Sequence, residues 1–348
     1  MAESLRALAV WFSAARTVEL RAETVPPPGP GLVRVQTIAS AVSQGTERLV
    51  YRGEVPSDLP LDLPTLAGSF GFPIKYGYAA VGRVRDVGPD VLTHAPGDLV
   101  FALHPHQTIF NLPASAALRL PAAIDPLLGV FTANLETAVN IAHDTPLHFG
   151  ETALIFGQGI VGLLVAQVLR LAGARRVIAV EPAPVRRDLA RRVGVDVVLA
   201  PAADLREQVR AANAGRAPDV AIEASGSSAA LQAAIDNVAQ DGAVVVASWY
   251  GTKPVQLMLG DRFHRGRVRL ISSQVGRLNP ALGARWDYAR RSATVLDLLP
   301  ELALADLITH RIALADAPAA YRLIDEQPDQ IGQIILTYDA PCDASIAS

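Results

Sequence analysis

The chain has 348 residues, half of them apolar and 19% charged, with a formal net charge of −3. That length suits two domains better than one compact core, and the faintly acidic balance gives no reason to expect nucleic acid or an anionic membrane as partner. The single cysteine, Cys342, can form neither an intrachain disulfide nor a cysteine-based structural zinc site, and reads as incidental.

The N-terminal segment carries Glu3 and Arg6 and no uninterrupted apolar stretch, so no secretory leader is expected and the protein reads as cytoplasmic. Short apolar runs at 7–12, 32–39, 79–87 and 99–103 follow. They are punctuated by Pro26-Pro27-Pro28-Gly29-Pro30, Gly88-Pro89 and Pro96-Gly97-Asp98. Many short strands separated by turn residues predict a partly closed barrel. Around Pro126 the pattern changes to a helix over 135–142 and then to alternating strands and helices.

The most informative segment begins at Ala153. An apolar run, 153–156, meets Gly157-x-Gly159-x-x-Gly162, and an apolar-periodic helix continues to Leu171. A second apolar run, 177–180, ends on Glu181, about 20 residues past the glycines, where a dinucleotide fingerprint places its acid. Gly157 permits the tight turn, Gly159 lets the backbone approach a pyrophosphate, and Gly162 lets helix and strand pack closely. Amides at the helix start, including those of Gln158, Ile160 and Val161, are placed to hold phosphate oxygens. Glu181 is placed to accept from the ribose hydroxyls. The apolar stretch 154–169 is long, but it contains these glycines with Gln158 and Gln167, and reads as a buried strand and helix rather than a membrane span.

Further units follow as helix 184–193, strand 197–199, helix 205–214, strand 220–223, helix 228–238, and strands 243–247 and 268–272. This alternation predicts a parallel, doubly wound sheet. A helix near 285–299, another at 317–325 and a strand at 333–338 close the chain and are expected to return to the first domain. The expected domains are therefore 1–124 with 277–348, and 125–276.

Across nearly its full length the chain resembles the medium-chain dehydrogenase/reductase superfamily. The landmarks are Pro28-Gly29-Pro30-Gly31-Leu32-Val33-Arg34-Val35, Gly77, Gly82-x-Val84, Gly88, Gly97-Asp98-Leu99-Val100 and the fingerprint. Asp219 to Gly226, Asp241 to Val245, Leu314 to Ala320 and Gly332 to Ile335 continue the series in order. The resemblance implies an α/β protein with a discontinuous barrel-like (GroES-like) catalytic domain and a Rossmann domain. It also implies a nicotinamide cofactor in the cleft between them, with Ser225, Gly226 and Ser248 among the cofactor contacts, and a homodimer. The strand at 268–273 is the expected place for dimer pairing, because a sheet edge offers unpaired backbone groups.

The departures from the family are informative. Where zinc-dependent members carry Cys-Gly-Ser/Thr-Asp, this chain has Gln44-Gly45-Thr46-Glu47. Where they carry Gly-His-Glu, it has Gly77-Tyr78-Ala79, and Ala133 stands at the third ligand position. Gln, Tyr and Ala do not make a tetrahedral zinc site, and the four-cysteine structural lobe is missing. The chain therefore resembles the zinc-independent branch. The run Ser43 to Gly53 is similar to relatives of the hydroxyethyl-bacteriochlorophyllide dehydrogenases. His104-Pro105-His106, with Glu47 or His143, is the alternative that would restore a metal.

Without zinc, hydrogen-bond donors must neutralise charge developing on a substrate oxygen. Tyr78 is the expected donor, with Lys75 as a nearby cation that would lower its pKa. Thr46 matches the family's proton-relay hydroxyl. Glu47 is expected in a structural ion pair with an arginine. Tyr51, Asn134, Trp249 and Tyr250 are candidates for the pocket wall. Glu181 favours NAD over NADP, whereas Arg186 and Arg187 on the next helix would suit a 2′-phosphate. Arg186 also matches the family's basic residue near the adenosine ribose.

Three readings follow. The leading one is a zinc-independent NAD(P)-dependent dehydrogenase/reductase acting on a secondary alcohol or ketone. The second is a reductase of an activated C=C bond or a quinone. The third is a nucleotide-binding relative without turnover.

Overall fold

In a computed structural model of the chain, residues 3–61, 65 and 68–338 are described; Cys342 lies outside them. They divide into two compact units. The first runs through Ala133 and takes up Ile308–Pro328 and the strand from Gln333. The second comprises Asn134–Leu307 with Asp329–Gly332.

The first unit opens with a hairpin of β1 (Leu5–Ala14) and β2 (Thr17–Val25), antiparallel and turned at Arg16, whose φ is 60°. β2 has no apolar run, and its residues alternate between exposed and half-buried, so the apolar pattern of the sequence passes over it. Next come β3 (Leu32–Val42), α1 (Thr46–Arg52), β4 (Ala80–Val87), β5 (Leu99–Ala102), β6 (Ile109–Pro113), β7 (Leu118–Arg119) and α2 (Pro126–Gly129). The helix α3 (Thr132–Asp144) carries the chain into the second unit.

There β8 (Thr152–Phe156), α4 (Ile160–Leu171), β9 (Arg176–Val180), α5 (Pro184–Arg192), β10 (Val197–Leu199) and α6 (Leu205–Ala212) alternate. They are followed by β11 (Val220–Glu223), α7 (Ser228–Asn237), β12 (Ala243–Val246), β13 (Arg269–Ser272) and α8 (Tyr288–Leu298). The chain then re-enters the first unit with β14 (Ile308–Ala313), α9 (Ala317–Glu326) and β15 (Gln333–Thr337). Helix α8 thus belongs to the second unit, and the return falls at Ile308 rather than at the 277 suggested by the sequence pattern.

The first unit's larger sheet has seven strands in the order β14-β15-β3-β4-β5-β7, with β6 also on β3. It is mixed: β14 and β15 are parallel and the other pairs antiparallel. Its core is a cluster of small and branched side chains, including Val33, Val35, Ala80, Val84, Val100, Phe110 and Leu112.

The second unit is a six-stranded parallel sheet, β10-β9-β8-β11-β12-β13. Its central strands are nearly continuous Val, Ile, Leu and Ala and buried along almost their whole length, as strands covered on both faces must be. Strand order reverses between β8 and β11. In open α/β sheets, ligands bind beyond the carboxyl ends of the strands at such a point. The fingerprint turn from β8 into α4 lies at that point, and β13 forms one edge of the sheet. Among the described residues no helix is long and apolar enough to cross a membrane.

Candidate active site

In the second unit the fingerprint glycines do what their spacing requires. Gly157 leaves β8 at φ +91°, and a Cβ there would lie 2.8–2.9 Å from Ala224 and Ser225. A Cβ on Gly162 would sit 2.0 Å from the Gly157 carbonyl oxygen, so α4 can lie this close to the turn only without a side chain. Gly159, the N-cap of α4, faces open space within 4 Å. The Gln158 side-chain carbonyl is buried and lacks a hydrogen-bond partner. An open backbone approach and helix amides together fit a bound pyrophosphate, whereas the Gln158 carbonyl, an acceptor, would need a donor.

Glu181, at the end of β9, is almost fully buried. Its carboxylate accepts from the amides of Gln158 (2.6 Å) and Ala183 (2.9 Å). A carboxylate has about four acceptor positions, so ribose hydroxyls can still be served. The Arg186 Nε donates to the Ile331 carbonyl (3.3 Å), and Arg187 donates to the carbonyls of Glu181 and Pro182.

A second acid, Glu223, closes β11 and is fully buried. Its Oε1 accepts from the Ser225 amide (2.7 Å), the Ser225 hydroxyl (2.6 Å) and the Gly226 amide (2.9 Å), while Oε2 accepts from the Tyr250 hydroxyl (2.8 Å). The Ser248 hydroxyl takes the Gly226 amide as well (2.9 Å). Glu223 therefore gathers Ser225, Gly226, Ser248 and Tyr250 into one loop cluster. Sequence reasoning overlooked this residue, although an acid at a strand end before Ala-Ser-Gly is a turn signal. Tyr250 is tied back to that acid rather than standing free as a wall. Burial and the Glu223 bond hold its phenol well above the usual pKa. Trp249 beside it is half exposed, and Asn134 is half-buried near the start of α3.

In the first unit the turn from β3 into α1 brings together the hydroxyls expected to act on oxygen. The Tyr78 hydroxyl donates to Ser43 Oγ (2.6 Å) and lies within hydrogen-bonding reach of Thr46. Burial, assisted by the charge of Glu47, pushes the Tyr78 pKa up to about 12 against the opposing hydrogen bonds from Ser43 and Thr46. The lowered value expected from Lys75 is not found. The Lys75 ammonium bonds Glu23 (2.8 Å) and Gln107 (3.1 Å) and lies over the Trp11 ring. The segment between Lys75 and Tyr78 is irregular and bends at Gly77, whose φ is 138°, and the ammonium is taken up by Glu23 and Gln107 instead.

Glu47 also departs from expectation, for its partner is no arginine. It is fully buried and engages His106 Nε2 (2.9 Å) and the Tyr321 hydroxyl (2.6 Å) through Oε2, and the Ser43 amide (3.0 Å) through Oε1. The His104 and His106 rings take different partners. His104 stacks on Phe110 at 3.6 Å, and burial lowers its pKa to about 3. Tyr51 stacks on Tyr321 (5.8 Å), and burial raises its pKa. Among the described residues no group of three or more His, Cys, Asp or Glu side chains could hold a metal, and Gln44, Tyr78 and Ala133 do not form a zinc donor set.

Comparison with known proteins adds the following. Residues 161–289 match a family described as zinc-binding dehydrogenase. That match falls in the second unit and includes none of the positions 44–47, 77–79 or 133. The chain is 31% identical over 328 residues to 2-desacetyl-2-hydroxyethyl bacteriochlorophyllide A dehydrogenase of Rhodobacter capsulatus, covering 90% of this chain and 92% of that protein. It is 27% identical over 327 residues to D-guloside 3-dehydrogenase of Escherichia coli, covering 88% and 93%. Among solved structures, a provisionally designated zinc-binding dehydrogenase of Sinorhizobium meliloti, bound to NADP, superposes with a TM-score of 0.79. It does so at 22% identity, over 96% of this chain and 99% of its own.

Proposed function

Because the chain belongs to the medium-chain dehydrogenase/reductase superfamily, we propose that it is a zinc-independent, nicotinamide-dependent oxidoreductase of secondary alcohols and ketones. The observation that supports this reading is the Tyr78–Ser43–Thr46 hydroxyl group, in which Tyr78 stands at a sequence position where the resemblance would put a histidine ligand of zinc. The relatives named above are a 2-desacetyl-2-hydroxyethyl bacteriochlorophyllide A dehydrogenase and a D-guloside 3-dehydrogenase, which supports the alcohol/ketone class.

When bound, a nicotinamide supplies or accepts the hydride. The chain's own residues supply binding and charge management. The amides after Gly157 and the start of α4 hold phosphate oxygens, and Glu181 takes ribose hydroxyls. Tyr78, neutral at physiological pH because its pKa stands near 12, donates a hydrogen bond to the substrate oxygen as charge gathers there. Thr46 backs the phenol by giving or accepting a hydrogen bond, and the proton lost by an alcohol or gained by a ketone passes between this hydroxyl pair and solvent water. The catalytic residues in this reading are Tyr78 and Thr46; Lys75 is not among them.

Glu181 supports a preference for NAD, since a 2′-phosphate would bring added negative charge beside a buried carboxylate. A homodimer paired through β13 and a cytoplasmic location complete the reading. A second reading, reduction of an enone or quinone, is favoured by the same high Tyr78 pKa, because hydride delivery to a β-carbon needs no strong acid at oxygen.

The test is an assay of chelator-treated protein with NAD and a panel of secondary alcohols, beside NADPH and enones. Turnover in the first arm supports the proposal. Turnover confined to the second transfers it to C=C reduction, and nucleotide binding without turnover in either arm refutes it.

A further inference from the structure

The buried pair Glu47–His106 takes no part in the chemistry described above and is costly to keep. Removing a carboxylate from water costs several kcal/mol, and apolar residues of similar volume often stabilise as well or better. Its position suggests what it does. Five elements converge on it: Ser40 from β3, Glu47 from α1, His106 from the segment before β6, Tyr321 from α9 and Tyr338 after β15.

The bonds run in series. The Tyr338 hydroxyl meets Ser40 Oγ at 2.7 Å, Ser40 Oγ meets His106 Nδ1 at 2.6 Å, and His106 Nε2 meets Glu47 Oε2 at 2.9 Å. One proton arrangement satisfies every member: Tyr338 donates to Ser40, Ser40 to Nδ1, and Nε2–H to the carboxylate. Ser40, Glu47, His106 and Tyr321 are all fully buried.

This chain ends on backbone. Glu47 Oε1 accepts the Ser43 amide at 3.0 Å, fixing the turn between β3 and α1. The same residue's hydroxyl accepts the Tyr78 proton at 2.6 Å. For Tyr78 to serve a substrate oxygen, its proton must turn from Ser43 to the substrate. Ser43 can then rotate its own O–H toward the phenol oxygen and replace the bond given up. Both hydroxyls stay paired throughout, and no covalent bond changes.

We propose that Ser43 is the residue that sets the direction of the Tyr78 hydroxyl, and that the buried His106–Glu47 pair positions Ser43 through its backbone amide. The role assigned to Tyr78 in the proposed function is the premise of this inference. Ser43 and His106 are positioning residues, acting through Tyr78 and Glu47 respectively.

The test begins without substrate. In protein labelled with 13C at the tyrosine Cζ, the Tyr78 resonance is identified by its loss in Tyr78→Phe. Ser43→Ala and His106→Gln are expected to move that resonance, and Ser43→Thr to restore it, with NADH affinity by fluorescence within about twofold of the parent as the check on folding. His106→Gln keeps an N–H for Glu47, so a shift there reads lost register rather than collapse. An unmoved Tyr78 resonance in both Ser43→Ala and His106→Gln overturns the inference.

With NAD and the best secondary alcohol of the panel, Ser43→Ala should lower kcat about tenfold. Added to Tyr78→Phe, it should cause no further loss. An additive loss overturns the inference and leaves the proposed function standing. Undiminished turnover in Tyr78→Phe alone refutes the catalytic role given to Tyr78, while the resonance experiment still decides the Ser43–His106 linkage.

Discussion

Replacing Tyr78 by Phe removes one oxygen and little volume, so its consequences can be worked from the site. The lost hydroxyl donates to Ser43 at 2.6 Å, and Thr46 lies within its reach. Both partners are only partly buried, so water can take the vacated bond and the stability cost is about 1 kcal/mol. In a chain of this size that lowers Tm by about 2 °C or less. The catalytic cost is larger, because a preorganised donor at a developing oxyanion is worth about 100- to 1,000-fold in kcat. Ser43 and Thr46 remain to hold a compensating water, so the lower end, about 100-fold, is expected. NADH affinity should stay within about twofold, since the residue is in the first unit and the fingerprint in the second. Steady-state kinetics with NAD and a secondary alcohol, beside a fluorescence titration, measures all three quantities. A kcat within about twofold of the parent refutes the role given to Tyr78. Because its pKa stands near 12, the parent enzyme should lose no turnover to Tyr78 ionisation below about pH 11.

Other consequences follow from the same geometry. Glu181→Gln removes the buried charge at the end of β9, worth up to about 4 kcal/mol against a phosphate at about 4 Å in an effective dielectric of about 20. It should improve NADPH affinity relative to NADH by at least about tenfold in competitive titrations, and an unchanged ratio would remove Glu181 from cofactor choice. Gly162→Ala drives a Cβ to 2.0 Å from the Gly157 carbonyl oxygen. Overpacking of this kind costs about 1–3 kcal/mol, so both urea midpoint and NADH affinity should fall; wild-type affinity would contradict the close approach. His104 is neutral when folded because burial lowers its pKa to about 3. The unfolded chain binds its proton below about pH 6.5, so this residue's stability is fully present above that value and is lost as pH falls toward 3. Between pH 7 and pH 5 the parent should lose about 2 kcal/mol more than His104→Phe in urea unfolding, and parallel losses would refute the assignment.

The second unit was legible because its signals are local. Gly157, Gly159 and Gly162, the apolar strands and Glu181 lie within one short stretch of chain, and their spacing alone implies the turn. The first unit's site was harder to read. Tyr78 and Thr46 were singled out by resemblance, and the neighbours around them come from distant segments. His106 reaches Glu47 across 59 residues and Tyr321 reaches it across 274, and no periodicity encodes such contacts. Lys75 was expected as a cation near the phenol, but its ammonium bonds Glu23 and Gln107, partners that come from distant parts of the chain. β2 and α1 were passed over for a different reason. β2 lacks an apolar run, and α1 is only 7 residues long, with Glu47, Val50 and Tyr51 as its buried face. Glu223 was overlooked because its partners Ser248 and Tyr250 arrive only when β12 pairs with β11.

The central claim is that this chain handles substrate oxygen with Tyr78 and its hydroxyl neighbours instead of a bound zinc ion. Metal content and turnover measured on the same preparations, before and after exhaustive chelation and again after zinc is restored, test it most directly. The account predicts hydride transfer that is independent of zinc content at every stage. Turnover that disappears with the metal and returns in proportion to zinc, at one ion per chain, would contradict it.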